Sequence, residues 1–168
     1  MTEMTGSRAA KVTLPTDEQI LVTREFDAPK HLVYKAWTTP ELVGRWWHAN
    51  RGEVSQIDID LRVGGKWRYV MVAEGGFEVG FHGEYREVVP NERIVYTEVY
   101  EGMPEGIDAE AEAALNTLTL DEVDGRTTVT ILTEHRNREG RDAHINSGME
   151  DGLQDALDLL EEVANSLR

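Results

Sequence analysis

Apolar and polar positions alternate from Glu18 onward. In EQILVTREF, Ile20, Val22 and Arg24 fall on one side and Leu21, Thr23 and Glu25 on the other, which predicts a first β-strand. The period then lengthens. In FDAPKHLVYKAWTTPELVGRWW, Leu32, Val33, Ala36 and Trp37 share a helical face, Asp27 is placed to cap it, and Pro29 suits its first turn. Pro40 stops this helix and opens a second, short one, so the pair forms a helical hairpin that ends at Trp46 and Trp47.

From Glu53 to about His135 the period is two, and clusters of Gly, Pro, Asn and Asp divide the stretch into six segments. These are EVSQIDID, GKWRYVMV, FEVGFHGEYREVV, ERIVYTEVYE, AALNTLTLDEV and RTTVTILTEH, which together predict an antiparallel meander. An acidic insert, GMPEGIDAEAE, separates the fourth from the fifth and is too long for a tight hairpin. The C-terminal stretch returns to the helical period. Met149, Leu153, Ala156, Leu157, Leu160, Val163, Ala164 and Leu167 form one apolar face, and Glu150, Asp155, Asp158, Glu161 and Glu162 are expected on the watery back.

A strand, two short helices, six more strands and one long helix define an α+β layer design: a curved antiparallel seven-stranded sheet that grips the C-terminal helix, with a two-helix insert after the first strand. Residues 1–17 show no sustained period and read as a flexible N-terminal tail, which leaves one domain over 18–168. A straight helix cannot follow a curved sheet along its whole length, so a gap opens near one end and can become a ligand cavity. Gly148 and Gly152, in the first turns of the helix, are expected to leave such space. The insert and the segment from Asn146 to Gly152 are the expected doors.

Four motifs in order, DAPKHLVYKAWTTPELVGRWW, VGGKWRYVM, FHGEYREVVPNERIVYTEVYE and SGMEDGLQDALDLLEEVA, resemble the START-like (SRPBCC, polyketide cyclase/dehydrase and lipid transport) superfamily. Within it they look most like the branch named after the activator of the heat-shock-protein-ninety ATPase. The resemblance runs from about Glu18 to Leu167 and implies the helix-grip fold with a deep cavity between sheet and helix. Many relatives carry an aromatic just after the second helix glycine, where this chain has Leu153.

Period two nominates the cavity lining. Trp67, Tyr69 and Met71 share one face of their strand, and Phe81, Gly83 and Tyr85 share one face of the next. Tyr96, the hairpin indoles Trp46 and Trp47, of which one is expected to face the cavity, and Met149, Gly152 and Leu153 from the helix complete the expected ligand-binding set.

Charge narrows the partners. Lys and Arg number 17 against 32 Asp and Glu, a formal charge of −15, so nucleic acid and acidic membrane surfaces are excluded as expected partners. The absence of cysteine removes disulfides, zinc thiolates and thiol nucleophiles. No stretch reads as a signal peptide or membrane span, which predicts a cytoplasmic protein, monomeric or weakly dimeric. His31, His48, His82, His135 and His144 show no metal-binding spacing, the serines lie in no nucleophile elbow, and no phosphate-binding loop is present, so no metal, cofactor or catalytic residue is expected. The function read from the sequence is a binding module for a small apolar, aromatic or lipid-like molecule. Two alternatives stand beside it: a cyclase, dehydratase or hydrolase using His48, His82, Tyr69 or Tyr96 in the same cavity, and a cochaperone-like interaction domain.

Overall fold

The computed structural model describes residues 9–168. Among these residues, eight strands form one antiparallel sheet: β1 (Lys11–Thr13), β2 (Gln19–Phe26), β3 (Gly52–Ile59), β4 (Lys66–Ala73), β5 (Glu78–Val89), β6 (Arg93–Tyr100), β7 (Ala114–Val123) and β8 (Arg126–Glu134), in the order β1-β2-β8-β7-β6-β5-β4-β3. Four helices among the described residues accompany it: α1 (Lys30–Thr38), α2 (Pro40–Val43), α3 (Arg138–Ile145) and α4 (Met149–Ser166). Register shifts between Val54 and Gln56 and between Tyr85 and Glu87 mark bulges, which bend the sheet around the helix.

The strand count corrects the expected seven. Lys11–Thr13, within the expected N-terminal tail, pairs along β2, with Val12 opposite Val22. Three residues are too few to show a period; the strand exists because β2 offers an edge and because Gln154 of α4 holds Ala10 by two hydrogen bonds, 3.1 and 2.9 Å. Of that tail, residues 1–8 lie outside the described residues. Helix α3 is also additional. Its sequence, REGRDAHI, has little apolar content, yet Asn137 caps it by accepting the Gly140 N–H at 2.8 Å, and Arg141 is buried with Nη1 donating to the Thr16 carbonyl at 2.7 Å. Asp27 does not cap α1, whose N-cap is Pro29.

The core lies between the concave face of the sheet and α4. Ala156, Leu157, Leu160, Val163 and Ala164 are buried against Phe26, Leu118, Leu120 and Val129, and α1 adds Leu32, Val33 and Ala36. One acidic residue crosses the expected boundary. Glu161, expected on the solvent side, follows Leu157 by four residues and therefore shares the buried stripe, and it is only 8% exposed. Its partner is Arg24, 2% exposed, on the inward face of β2 beside Ile20, Val22 and Phe26. Arg24 Nη2 donates to Glu161 Oε1 at 2.8 Å and Nη1 to Asp158 Oδ1 at 2.9 Å, while Glu161 Oε2 accepts the Asp27 N–H at 2.7 Å. The guanidinium also sits over the Phe26 ring, 4.9 Å from its centroid.

Candidate functional site

A cavity of about 190 Å3 opens between β4 to β8 and the first turn of α4. All four tryptophans of the chain line it. Trp46 and Trp47 lie in the hydrogen-bonded turn after α2, where both backbone N–H groups donate to the Val43 carbonyl, and both indoles reach the wall rather than one of them. Trp46 is the deeper, its Nε1 donating to the Ala36 carbonyl at 2.9 Å and its ring edge-on to Trp37 at 5.4 Å. Trp47 extends to Tyr69 and Phe81, with centroids at 5.4 and 6.1 Å. Trp67 continues the wall, 4.8 Å from Tyr69 and 5.7 Å from Tyr96, and Tyr85 lies 6.4 Å from Tyr96. Met149 and Leu153 close the helix side.

Three nominated residues lie off the wall. Met71 shares the face of Trp67 and Tyr69 but lies beyond the end of the cavity, because period two fixes a face and not how far a cavity runs along it. Gly152 points elsewhere: a β-carbon there would come 4.0 Å from Arg51 Nε, and Arg51 is paired with Asp155 at 2.7 Å. Gly148 is the N-cap of α4 at φ +86°, so its need for glycine is conformational. The helix glycines therefore do not create the cavity.

Gly83 acts from behind. A β-carbon at this position would lie 1.8 Å from the Thr97 carbonyl oxygen and 2.6 Å from Trp67 Nε1. Its absence lets Trp67 lie across β5 and donate Nε1 to that carbonyl at 3.1 Å. Gly83→Ala is expected to lose about 1 to 3 kcal/mol through overpacking. Urea denaturation measures the loss, and faster hydrogen exchange of the Trp67 indole reports the displaced ring.

The polar part of the wall was not nominated from the sequence. It comprises Glu98, Asn116, Thr133, His144 and Thr38. Glu98 follows Ile94 and Tyr96 at period two, so the signal that it faces inward was present in β6. Asn116 and Thr133 likewise alternate with Leu118 and Ile131. Thr133 Oγ1 donates to Asn116 Oδ1 at 2.5 Å, which turns the amide so that Nδ2 donates to Glu98 Oε1 at 2.8 Å. His144 could be placed only once α3 was known, and its Nδ1 lies 2.9 Å from His135 Nε2.

Burial governs the protonation states. It raises the Glu98 carboxyl, against the stabilising Asn116 N–H and His135. It lowers His135 to about 4, assisted by His144, and it lowers His144 as well. The phenols of Tyr69, Tyr85 and Tyr96 are all pushed up by burial, and the Glu98 charge adds to this at Tyr69 and Tyr96. Near neutral pH the imidazoles and phenols are thus uncharged, and the cavity is an aromatic chamber with one hydrogen-bonded carboxyl.

Of the residues considered for acid–base chemistry, only Tyr69 and Tyr96 reach the cavity. His48 accepts the Asn50 N–H through Nδ1 at 2.9 Å, away from the wall. His82 lies on the opposite face of the sheet, with Nδ1 2.7 Å from Glu101 and Nε2 2.6 Å from Glu110. Those contacts pin the acidic insert over the outside of the sheet, where Arg136 also pairs with Glu112 at 2.9 Å. No residue of the insert lines the cavity, so among the two expected doors only the start of α4 borders it.

A bent antiparallel sheet closed by a long C-terminal helix, with a cavity between them, defines a START-like domain of the helix-grip kind. The sequence agrees. Residues 27–165 match the model of the family described as Activator of Hsp90 ATPase homolog 1-like protein, and the chain belongs to that family. Solved structures with the same fold include a protein from Rhodobacter sphaeroides, 22% identical, covering 94% of this chain and 99% of that one with a TM-score of 0.83. A protein from Mycobacterium smegmatis is 21% identical, covers 91% of this chain and 94% of its own, and has a TM-score of 0.79. One from Staphylococcus epidermidis is 26% identical over 94% of this chain and 95% of its own, with a TM-score of 0.77. No curated protein matches the chain. No helix among the described residues is long and apolar enough to cross a membrane.

Proposed function

We propose that the protein binds a small aromatic or otherwise apolar molecule, without covalent chemistry, in the cavity between sheet and helix. The observation that carries this reading is the ring-lined volume itself. At about 190 Å3 it exceeds the roughly 150 Å3 of an apolar cavity that admits benzene. A compact body of one or two rings suits this space better than a long acyl chain, and edge-on aromatic neighbours supply the contacts such a ring prefers. The test is titration with indole and 3-propylindole while following the chemical shifts of the four tryptophan N–H groups. Saturable shifts at Trp47 and Trp67 are expected. Unchanged shifts at saturating concentrations of both compounds would overturn the proposal.

A further inference from the structure

The wall of the cavity combines three features. Its carboxyl, Glu98, is oriented from behind by Asn116, which Thr133 fixes in turn. Among the described residues, no lysine or arginine lines the cavity to neutralise it. Its neighbours on the concave face are rings, with Tyr96 two residues before it on β6 and Trp67, 5.7 Å from Tyr96 and 4.8 Å from Tyr69, on the same wall. Desolvated ring faces attract cations, and the Glu98 carboxyl, whose ionisation burial opposes, gains its counter-ion when an ammonium enters beside it. An anionic ligand would instead face Glu98 with no compensating base, inside a protein of net charge −15.

We infer that the natural ligand class is a one- or two-ring amine, bound with its protonated nitrogen against Glu98 and its rings against Trp47, Trp67 and Tyr69. This rests on the binding reading above and adds the charge of the ligand to it. Asn116 serves as a positioning residue: it occupies Glu98 Oε1 and leaves Oε2 to meet the ammonium.

Three indoles of matched size separate the possibilities: tryptamine, the neutral 3-propylindole and the anionic indole-3-propionic acid, each titrated calorimetrically into the full chain at neutral pH. Tryptamine is expected to bind about 10-fold or more tighter than 3-propylindole, with the acid weakest. In Glu98→Gln, which keeps an acceptor for the Asn116 N–H, the preference for tryptamine over 3-propylindole should vanish, and near-UV circular dichroism and a urea midpoint close to the parent's certify that the variant is folded. Equal binding of tryptamine and 3-propylindole to the parent protein would overturn the inference, as would an amine preference that survives Glu98→Gln. Should the variant fail to fold, the ranking of the three probes on the parent decides alone. If 3-propylindole binds and tryptamine gains nothing, only the amine inference falls. If none of the three binds, the binding reading falls with it.

Discussion

Glu161→Ala is expected to remove about 3 to 5 kcal/mol of folding stability, because it leaves the Arg24 guanidinium in the core without its buried carboxylate. Asp158 still reaches Nη1, but its side chain is 62% exposed and cannot replace a partner inside the protein. The Asp27 N–H loses its acceptor in the same change. A urea midpoint that drops with an unchanged slope would show the loss. The pair as a whole is a different matter. Arg24→Met combined with Glu161→Leu removes both charges and fills the space with apolar atoms, so the double variant should recover most of the stability lost by the single one. A single variant within about 1 kcal/mol of the parent would mean that the pair is solvated enough to act as a surface bridge.

Leu160→Ala should also be severe, at about 2 to 5 kcal/mol, since Leu160 is fully buried and its loss opens a void in the packed half of α4. Its effect on the ligand site should be small. The cavity takes Met149 and Leu153 from the first turns of that helix and nothing from Leu157 onward. Denaturation midpoints should therefore fall while the affinity of the folded fraction for 3-propylindole stays within about twofold, given that sites without shared partners behave independently. A matching loss of affinity would show that the two halves of α4 move together.

Which parts were legible in the sequence follows from where periodicity speaks. Seven strands, the helical hairpin and the long helix each run through enough residues for a period of two or 3.6 to emerge. KVT in β1 does not, and REGRDAHI in α3 offers only Ala143 and Ile145 as apolar markers, so its capping Asn137 was the readable signal. The aromatic wall was legible because alternation puts Trp67 with Tyr69 and Phe81 with Tyr85. The buried polar positions were not: Glu161 was read by residue type, as a charge that belongs in water, and Glu98 was not singled out, although their spacing from Leu157 and Tyr96 placed both inward. Met71 and Gly152 show the complementary limit: a face can be read from one strand or helix, whereas the extent of a cavity depends on how two elements diverge.

The pairing of β2 bears on how the chain reaches this structure. Gln19 lies opposite Glu134 and Phe26 opposite Thr127, so one of the first strands made takes its neighbour from the last strand made. Until β8 exists, β2 has only short β1 beside it in the sheet, and Arg24 waits longer still, for a carboxylate on α4. Closing so long a loop costs entropy before any of these contacts repays it. The native sheet is therefore incomplete until its last strand is made, and the charge that β2 carries into the core is neutralised only by a helix more than a hundred residues further along the chain.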